Sequence, residues 1–285
     1  MVPEQIDGLA VTSLGEYCFS DSGKGGEDRE SSGSQRKLSG KFIQKVSLPD
    51  SVKEIGNLAF YNCTGLQELQ IGAALTEFGS DAFMNCLQLE TVRIRCSIQE
   101  KNGLKQLLGQ RTSDTRVVFE RDGRTEAVLL YPEYYEMYHE VGPAHIFALN
   151  LTGEGFRARQ CFRDGIVDLI QYDGIFEQAA AEESPVTLCL MAVNRLCYPV
   201  GLLKEAEERY RSYIREREEL LVEELVRERS LECLEILFRE NLLTERGKKI
   251  SIQSASEHNW TEGTASMLRL RQKTADRAAK DRYSF

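Results

Sequence analysis

A chain of 285 residues, 41% hydrophobic and 28% charged, is long enough for one large or two ordinary domains. It has no apolar stretch of the ~18 residues that a membrane-spanning helix needs, and its opening MVPEQIDGLAVTSLGEY lacks the basic start and apolar run of a signal peptide. A formal net charge of −9 disfavours general nucleic-acid binding.

In chain order the first predicted unit is a repeat. Val11-Thr12-Ser13-Leu14-Gly15 and Tyr17-Cys18-Phe19 match Val52-Lys53-Glu54-Ile55-Gly56 and Leu58-Ala59-Phe60. Residues 21–40, DSGKGGEDRESSGSQRKLSG, are rich in Gly, Ser and charge and read as a mobile loop inserted in this first copy. The copy resumes at Phe42-Ile43-Gln44-Lys45-Val46-Ser47-Leu48. LPDSVKEIGNLAFYNCTGLQELQ is then followed directly by IGAALTEFGSDAFMNCLQLETVR. Leu48 maps to Ile71, Val52 to Leu75, Ala59-Phe60 to Ala82-Phe83, Cys63 to Cys86 and Leu66 to Leu89, each offset by 23 residues. A fixed period in the twenties marks a solenoid, whose copies bury their apolar faces only by stacking.

Leu66-x-x-Leu69-x-Ile71 ends with the alternation of a short strand, which predicts Leu69 and Ile71 inward and Glu68 and Gln70 outward. Stacking sets Lys45 and Ser47 before them and Thr91, Arg93 and Arg95 after them, in parallel rows. Gly56 and Gly79 suit a tight turn, and Ala59-Phe60 and Ala82-Phe83 a helical turn that drives Phe into the core. Residues 97–109 read as a short helix, and 117–119 as a strand closing the stack.

The pattern of Leu48-Pro49, Ile55-Gly56, Ala59-Phe60, Cys63 and Leu66 resembles the BspA-like leucine-rich repeats of many bacterial and some protist proteins. The resemblance covers about residues 6–119. The third copy departs from it at Gly72, where Pro is expected, and at Phe78. It implies a binding or scaffold module and no catalytic residue. Many such repeats belong to surface proteins, which sets secretion beside the cytoplasmic expectation if a leader precedes this sequence.

After the polar stretch ERDGRTEA, 120–127, helical spacing is expected to take over. Pro143 could start a helix through Ile146 and Leu149. Phe156 to Ile170 and Ile175 to Ala180 suit further helices, and Ser184-Pro185 reads as a cap opening a buried helix to about Leu196. Residues 202–229 have one apolar face on a surface dense in Glu and Arg, with Arg217 interrupting the seam. Helix pairs follow, with Ser230 as a cap. Ser230–Leu237 and Thr261–Leu268 share internal spacing 31 residues apart, weakly similar to degenerate ankyrin-like repeats, an ordinary helical bundle being the alternative.

Catalytic signals are sparse. Glu136-x-x-His139 has the spacing of one half of a di-iron carboxylate site, but a second such motif and two further Glu are missing. His145 suits a structural role and His258 an exposed helix end. Ser22-Gly-Lys-Gly-Gly26 lacks the frame of a phosphate loop. Eight cysteines without C-x-x-C read as buried free thiols of a reducing compartment, with Cys18 at the small site of Ala59 and Ala82. Residues 241–285 hold nine Lys or Arg against five Asp or Glu, a solvated helical end or a patch for an acidic partner.

The expectation is therefore an α+β chain, with a leucine-rich-repeat domain at 1–122 (insert 21–40) and a helical domain at 126–285. It acts as a non-enzymatic protein-binding or scaffold protein, with no cofactor or metal and with neither membrane nor nucleic acid as target. The expected contact surface is Lys45, Ser47, Glu68, Gln70, Thr91, Arg93 and Arg95. Two alternatives stand beside it: binding by the helical domain, with the repeats only orienting it, or a metal-dependent enzyme around Glu136, His139 and His145.

Overall fold

The computed structural model of the protein describes residues 1–20, 40–141 and 146–283, and of these the side chains of 139–148 and 274–283 are outside the description. The expected insert, Gly40 apart, and His145 lie outside the described residues. The chain divides into two units, Met1–Glu183 and Ser184–Phe285.

The first unit opens with a hairpin of β1 (Gln5–Ile6) and β2 (Leu9–Ala10). Its coil follows as β3 (Ser13–Leu14), a 3-10 turn at Gly40–Phe42, β4 (Lys45–Ser47), β5 (Glu54–Ile55), β6 (Glu68–Gly72), β7 (Glu77–Phe78) and β8 (Thr91–Arg95). β3, β5 and β7 form one parallel sheet, and β4, β6 and β8 belong to another. The 23-residue period is thus a backbone register: Lys45 pairs with Glu68 and Glu68 with Thr91.

Between the sheets each turn repeats the same devices. Phe60 stacks on Phe19 at 5.0 Å and on Phe83 at 5.4 Å between ring centroids. The Cys63 thiol donates to Phe19 O at 3.2 Å and the Cys86 thiol to Phe60 O at 3.1 Å. Asn85 Nδ2 donates to Asn62 Oδ1 at 2.7 Å. Tyr17, Leu58 and Asp81 take the same left-handed φ of 53–54°, as Asn62 and Asn85 take 61° and 62°. Successive rungs approach so closely at Gly79 that a Cβ there would lie 2.3 Å from the Asn57 backbone N, so close stacking, beyond the turn itself, requires this glycine.

The coil ends in α1 (Leu104–Leu108), shorter than the expected helix at 97–109, and β9 (Thr115–Arg121), which adds in parallel to β8 as the closing strand expected at 117–119. Two side chains just after α1 substitute for a further rung. Gln110 accepts from Ala82 N at 3.0 Å and donates to Gly79 O at 2.9 Å. Buried Arg111 donates to Cys86 O at 3.3 Å and to Leu89 O. Burial lowers the pKa of Arg111 to about 10, still high enough to keep it charged at neutral pH.

Beyond β9 the structure corrects the sequence reading. Strands continue where helix was expected: β10 (Arg124–Tyr131) pairs antiparallel with β9, and β11 (Tyr135–Val141) pairs with β12 (Ile146–Thr152). After α2 (Gly155–Ala158) come β13 (Phe162–Arg163) and β14 (Ile166–Val167), then α3 (Leu169–Gly174) and α4 (Phe176–Glu182). The expected boundary at 122–126 therefore falls inside a hairpin. The physical reason is the Asp-Gly pair. Asp122-Gly123 and Asp164-Gly165 both have two positive φ values, the geometry of the tightest hairpin turn, as does Asp7-Gly8 in the first hairpin.

The second unit is helical throughout its described residues: α5 (Pro185–Cys197), α6 (Lys204–Glu216), α7 (Glu218–Arg227), α8 (Leu231–Arg239), α9 (Glu245–Glu257) and α10 (Thr261–Tyr283). The Ser184 side chain caps α5 by accepting from Thr187 N at 3.1 Å, as expected. The apolar run at 202–229 is two helices, broken at Arg217, whose guanidinium lies 4.0 Å from the Tyr213 ring. α5 packs on α6, α7 and α8, α7 on α9, and α8 on α10, which makes a stack of hairpins. Ser230 makes no side-chain cap to α8. Instead the turn is closed from the end of α7, where Arg229 has φ 53° and Ser230 N donates to Leu225 O at 2.9 Å. The same motif recurs at Asn259 (φ 53°), with Trp260 N donating to Ala255 O at 2.8 Å. The structural offset between these hairpins is thus 30 residues rather than 31.

Candidate functional site

Alternation along β4, β6 and β8 buries Val46, Leu69, Ile71, Val92 and Ile94 and turns the intervening residues outward. All seven residues expected on this face are there, in register. One row is Lys45, Glu68, Thr91 and Arg116. The next is Ser47, Gln70, Arg93 and Val118, and Gly72 stands beside Arg95.

These side chains bond to one another. The Glu68 carboxylate lies 3.6 Å from Lys45 Nζ and 3.4 Å from Arg93 Nε. Arg93 reaches Glu120 at 2.7 Å, and Gln70 Nε2 donates to the same carboxylate at 3.1 Å. Ser47 Oγ donates to Gln70 Oε1 at 3.0 Å. Partial burial opposes the charge of Arg93, but its bond to Glu120 and the field of Glu68 outweigh that and leave its pKa raised.

Arg95, on the expected face, also makes longer-range bonds. It folds back across the sheet to Asp50 Oδ1 at 2.7 Å, Ser47 Oγ at 3.5 Å and the Leu48 carbonyl. Gly72 leaves room for this crossing, because a Cβ there would lie 2.6 Å from Asp50 Oδ1. The departure from Pro in the third copy thus has a structural counterpart: Arg95 clasps the first rung to the third.

Sequence reasoning missed Asp50, Arg116 and Glu120 as members of the face. Extending the alternation of the strand at 117–119 by one step each way would have found Arg116 and Glu120. Asp50 carried no periodic signal, since it follows the Leu48-Pro49 turn.

Of the residues named for the metal alternative, Glu136 stands on β11 rather than on the helix that the Glu-x-x-His spacing supposes, while His145 and the side chain of His139 lie outside the described residues. Among the described residues no group of three or more His, Cys, Asp or Glu is placed to hold a metal ion. Seven cysteines are buried and none of them is in a disulfide among the described residues, and burial pushes the Cys86 thiol up to about 11. Cys18 is exposed, against expectation, because its rung begins the coil. No described helix is long and apolar enough to cross a membrane.

In the second unit a cleft of about 420 Å³ lies between α7 and α9, with Glu219, Glu223, Glu224 and Glu257 against Arg227 and His258 in its wall. His258 closes the end of α9, where its ring Nδ1 lies 2.9 Å from Ser254 O.

The family model for the BspA type leucine rich repeat region (6 copies) matches residues 34–103, which span β4 to β8 of the coil. Such a match is consistent with a protein-interaction repeat. No curated protein and no solved structure matches this chain. Residues 34–103 are thus similar to a BspA type leucine rich repeat region, and the chain becomes helical from Leu169 onward.

Proposed function

We propose that the outward face of β4, β6 and β8 docks a protein partner, and that the chain acts as a scaffold rather than a catalyst. One observation carries the reading: Lys45, Ser47, Glu68, Gln70, Thr91 and Arg93 stand in register as two polar rows that hold each other in place. Side chains already ordered by mutual bonds lose less entropy on docking than free ones. Half-buried ion pairs at a rim contribute specificity and encounter rate more than raw affinity. Cysteines held as buried thiols rather than disulfides suit a reducing compartment for this scaffold.

The test is affinity capture of partners from lysate of the protein's own source, followed by titration of the captured partner against wild type and Glu68→Arg/Arg93→Glu. The double reversal keeps attraction between positions 68 and 93 but sets like charges beside Lys45 and Glu120. Surface pairs of this kind are worth about 0–1 kcal/mol, so the fold should persist. Affinity should fall about 10-fold or more. Unchanged affinity would remove this face from the contact.

A second reading draws on the acidic cleft between α7 and α9, where four carboxylates face one guanidinium and one imidazole. It gives the binding role to the helical unit, through a basic segment of the partner, and leaves the repeats to orient it.

A further inference from the structure

β11 and β12 form a two-stranded sheet of their own among the described residues. Their root is anchored: Tyr134 is buried, its ring 5.6 Å from that of Phe156 and 5.1 Å from the Arg159 guanidinium. Just past β12, Glu182 accepts from Gly153 N at 3.1 Å and Glu183 from Glu154 N at 2.8 Å. Above the root several large side chains are open to solvent. Tyr138 is 65% exposed and Leu149, its register partner, 48%; Tyr135 and Met137 are also open. A lone two-stranded hairpin is marginal in water, and exposed edges are normally guarded by charge, proline or a cover.

Two other sheet edges carry a partner at one residue each. The Tyr172 hydroxyl accepts from Leu130 N at 3.1 Å and donates to Leu130 O at 2.6 Å, on the edge of β10. Val2 N donates to Ser47 O at 2.9 Å at the edge of β4. β12, IFALNLT, has neither proline nor charge, whereas β11, YEMYHEV, carries Glu136, His139 and Glu140.

We propose that β12 is a dimerisation edge, pairing antiparallel with β12 of a second copy about a two-fold axis at Leu149. The result is a four-stranded sheet in the order β11-β12-β12-β11. The occupant follows from charge and register. Pairing through β11 about Tyr138 would set Glu136 against Glu140 of the second copy, like charges directly opposed. Pairing through β12 about Leu149 sets Leu149 on Leu149, Asn150 on Ala148, Leu151 on Phe147 and Thr152 on Ile146, with no charge opposed to any other. Each Leu149 is flanked on its other side by Tyr138, so one apolar row crosses the new sheet. Such an isologous interface closes and leaves the guarded strand β11 outermost.

Sedimentation velocity of the full chain over a concentration series tests this, with wild type, Leu149→Lys, Leu149→Asp and an equimolar mixture of the two variants. Wild type should sediment as a dimer. Each variant alone should be monomeric with unchanged circular dichroism, its association weakened about 100-fold or more by like charges on the axis. The mixture should dimerise again, because Lys then faces Asp. Wild type that stays monomeric at every concentration, variants that dimerise like wild type, or a mixture that stays monomeric would each overturn the proposal.

Discussion

The two units repeat in different currencies. In the first, successive copies share a backbone ladder: Lys45, Glu68 and Thr91 occupy one line of hydrogen-bonded strands, and Phe19, Phe60 and Phe83 one aromatic column. A one-residue slip within a strand would turn its side chains to the wrong face, so each rung keeps its register even where the chain between rungs differs in length, 41 residues from Ser13 to Glu54 against 23 from Lys45 to Glu68. In the second, α7–α8 and α9–α10 share only a turn geometry and a packed face. The lengths differ, 10 and 9 residues against 13 and 23, without breaking the stack. A ladder fixes the register of its strands, whereas side-chain packing tolerates variation in the elements themselves.

The sharpest way to break this contrast is at Phe60, fully buried between two rings. Phe60→Ala should cost about 3–5 kcal/mol in chemical denaturation, since a cavity there faces both neighbouring rungs. A loss below about 1 kcal/mol would mean that the rungs do not depend on the column.

A smaller effect is expected in the helical unit at Thr244. Its side chain caps α9 by accepting from Gly247 N at 3.2 Å, and the Glu218 carboxylate binds its backbone N at 2.6 Å and its hydroxyl at 2.5 Å. Thr244→Ala should cost about 1–2 kcal/mol, read from the same denaturation curves, because one cap is local and no further copy relies on it.

The smallest expected effect separates the units by acid. In the first, burial raises the carboxyl groups of Asp114, Glu154 and Glu183 above their usual range. A raised pKa means that the folded state holds its proton more tightly, so stability grows as pH falls from neutral through the folded values toward the ordinary 3.8–4.5. In the second, Lys248 holds Glu245 below its usual range, by hydrogen bond first and by charge, and that contribution is lost as pH falls through the folded value. Hydrogen exchange between pH 7 and pH 5, corrected for intrinsic rates, should show the first unit better protected at the acid end and no matching gain around α9. Equal gains in both would contradict the assignment.

What could be read beforehand follows the same division. The rungs, their inward and outward residues and the face they build were legible because the ladder enforces alternation and period together. The cap of the coil was not, since Gln110 and Arg111 replace a rung by side-chain bonds that no periodicity announces. The strands after residue 120 were missed because Asp122-Gly123 was weighed as a polar break and Asp164-Gly165 was read through as part of a helix, where both are hairpin turns. Arg95 was placed on the right face, but its crossing to Asp50 depends on the third dimension.

The most direct test of the docking face is a side-by-side titration of the captured partner against wild type, Glu68→Arg/Arg93→Glu on the strand face and Glu219→Arg/Glu223→Arg in the helical cleft. The account predicts affinity lost about 10-fold or more in the first variant and kept in the second. Affinity kept in the first and lost in the second would contradict it and move the contact to the cleft between α7 and α9.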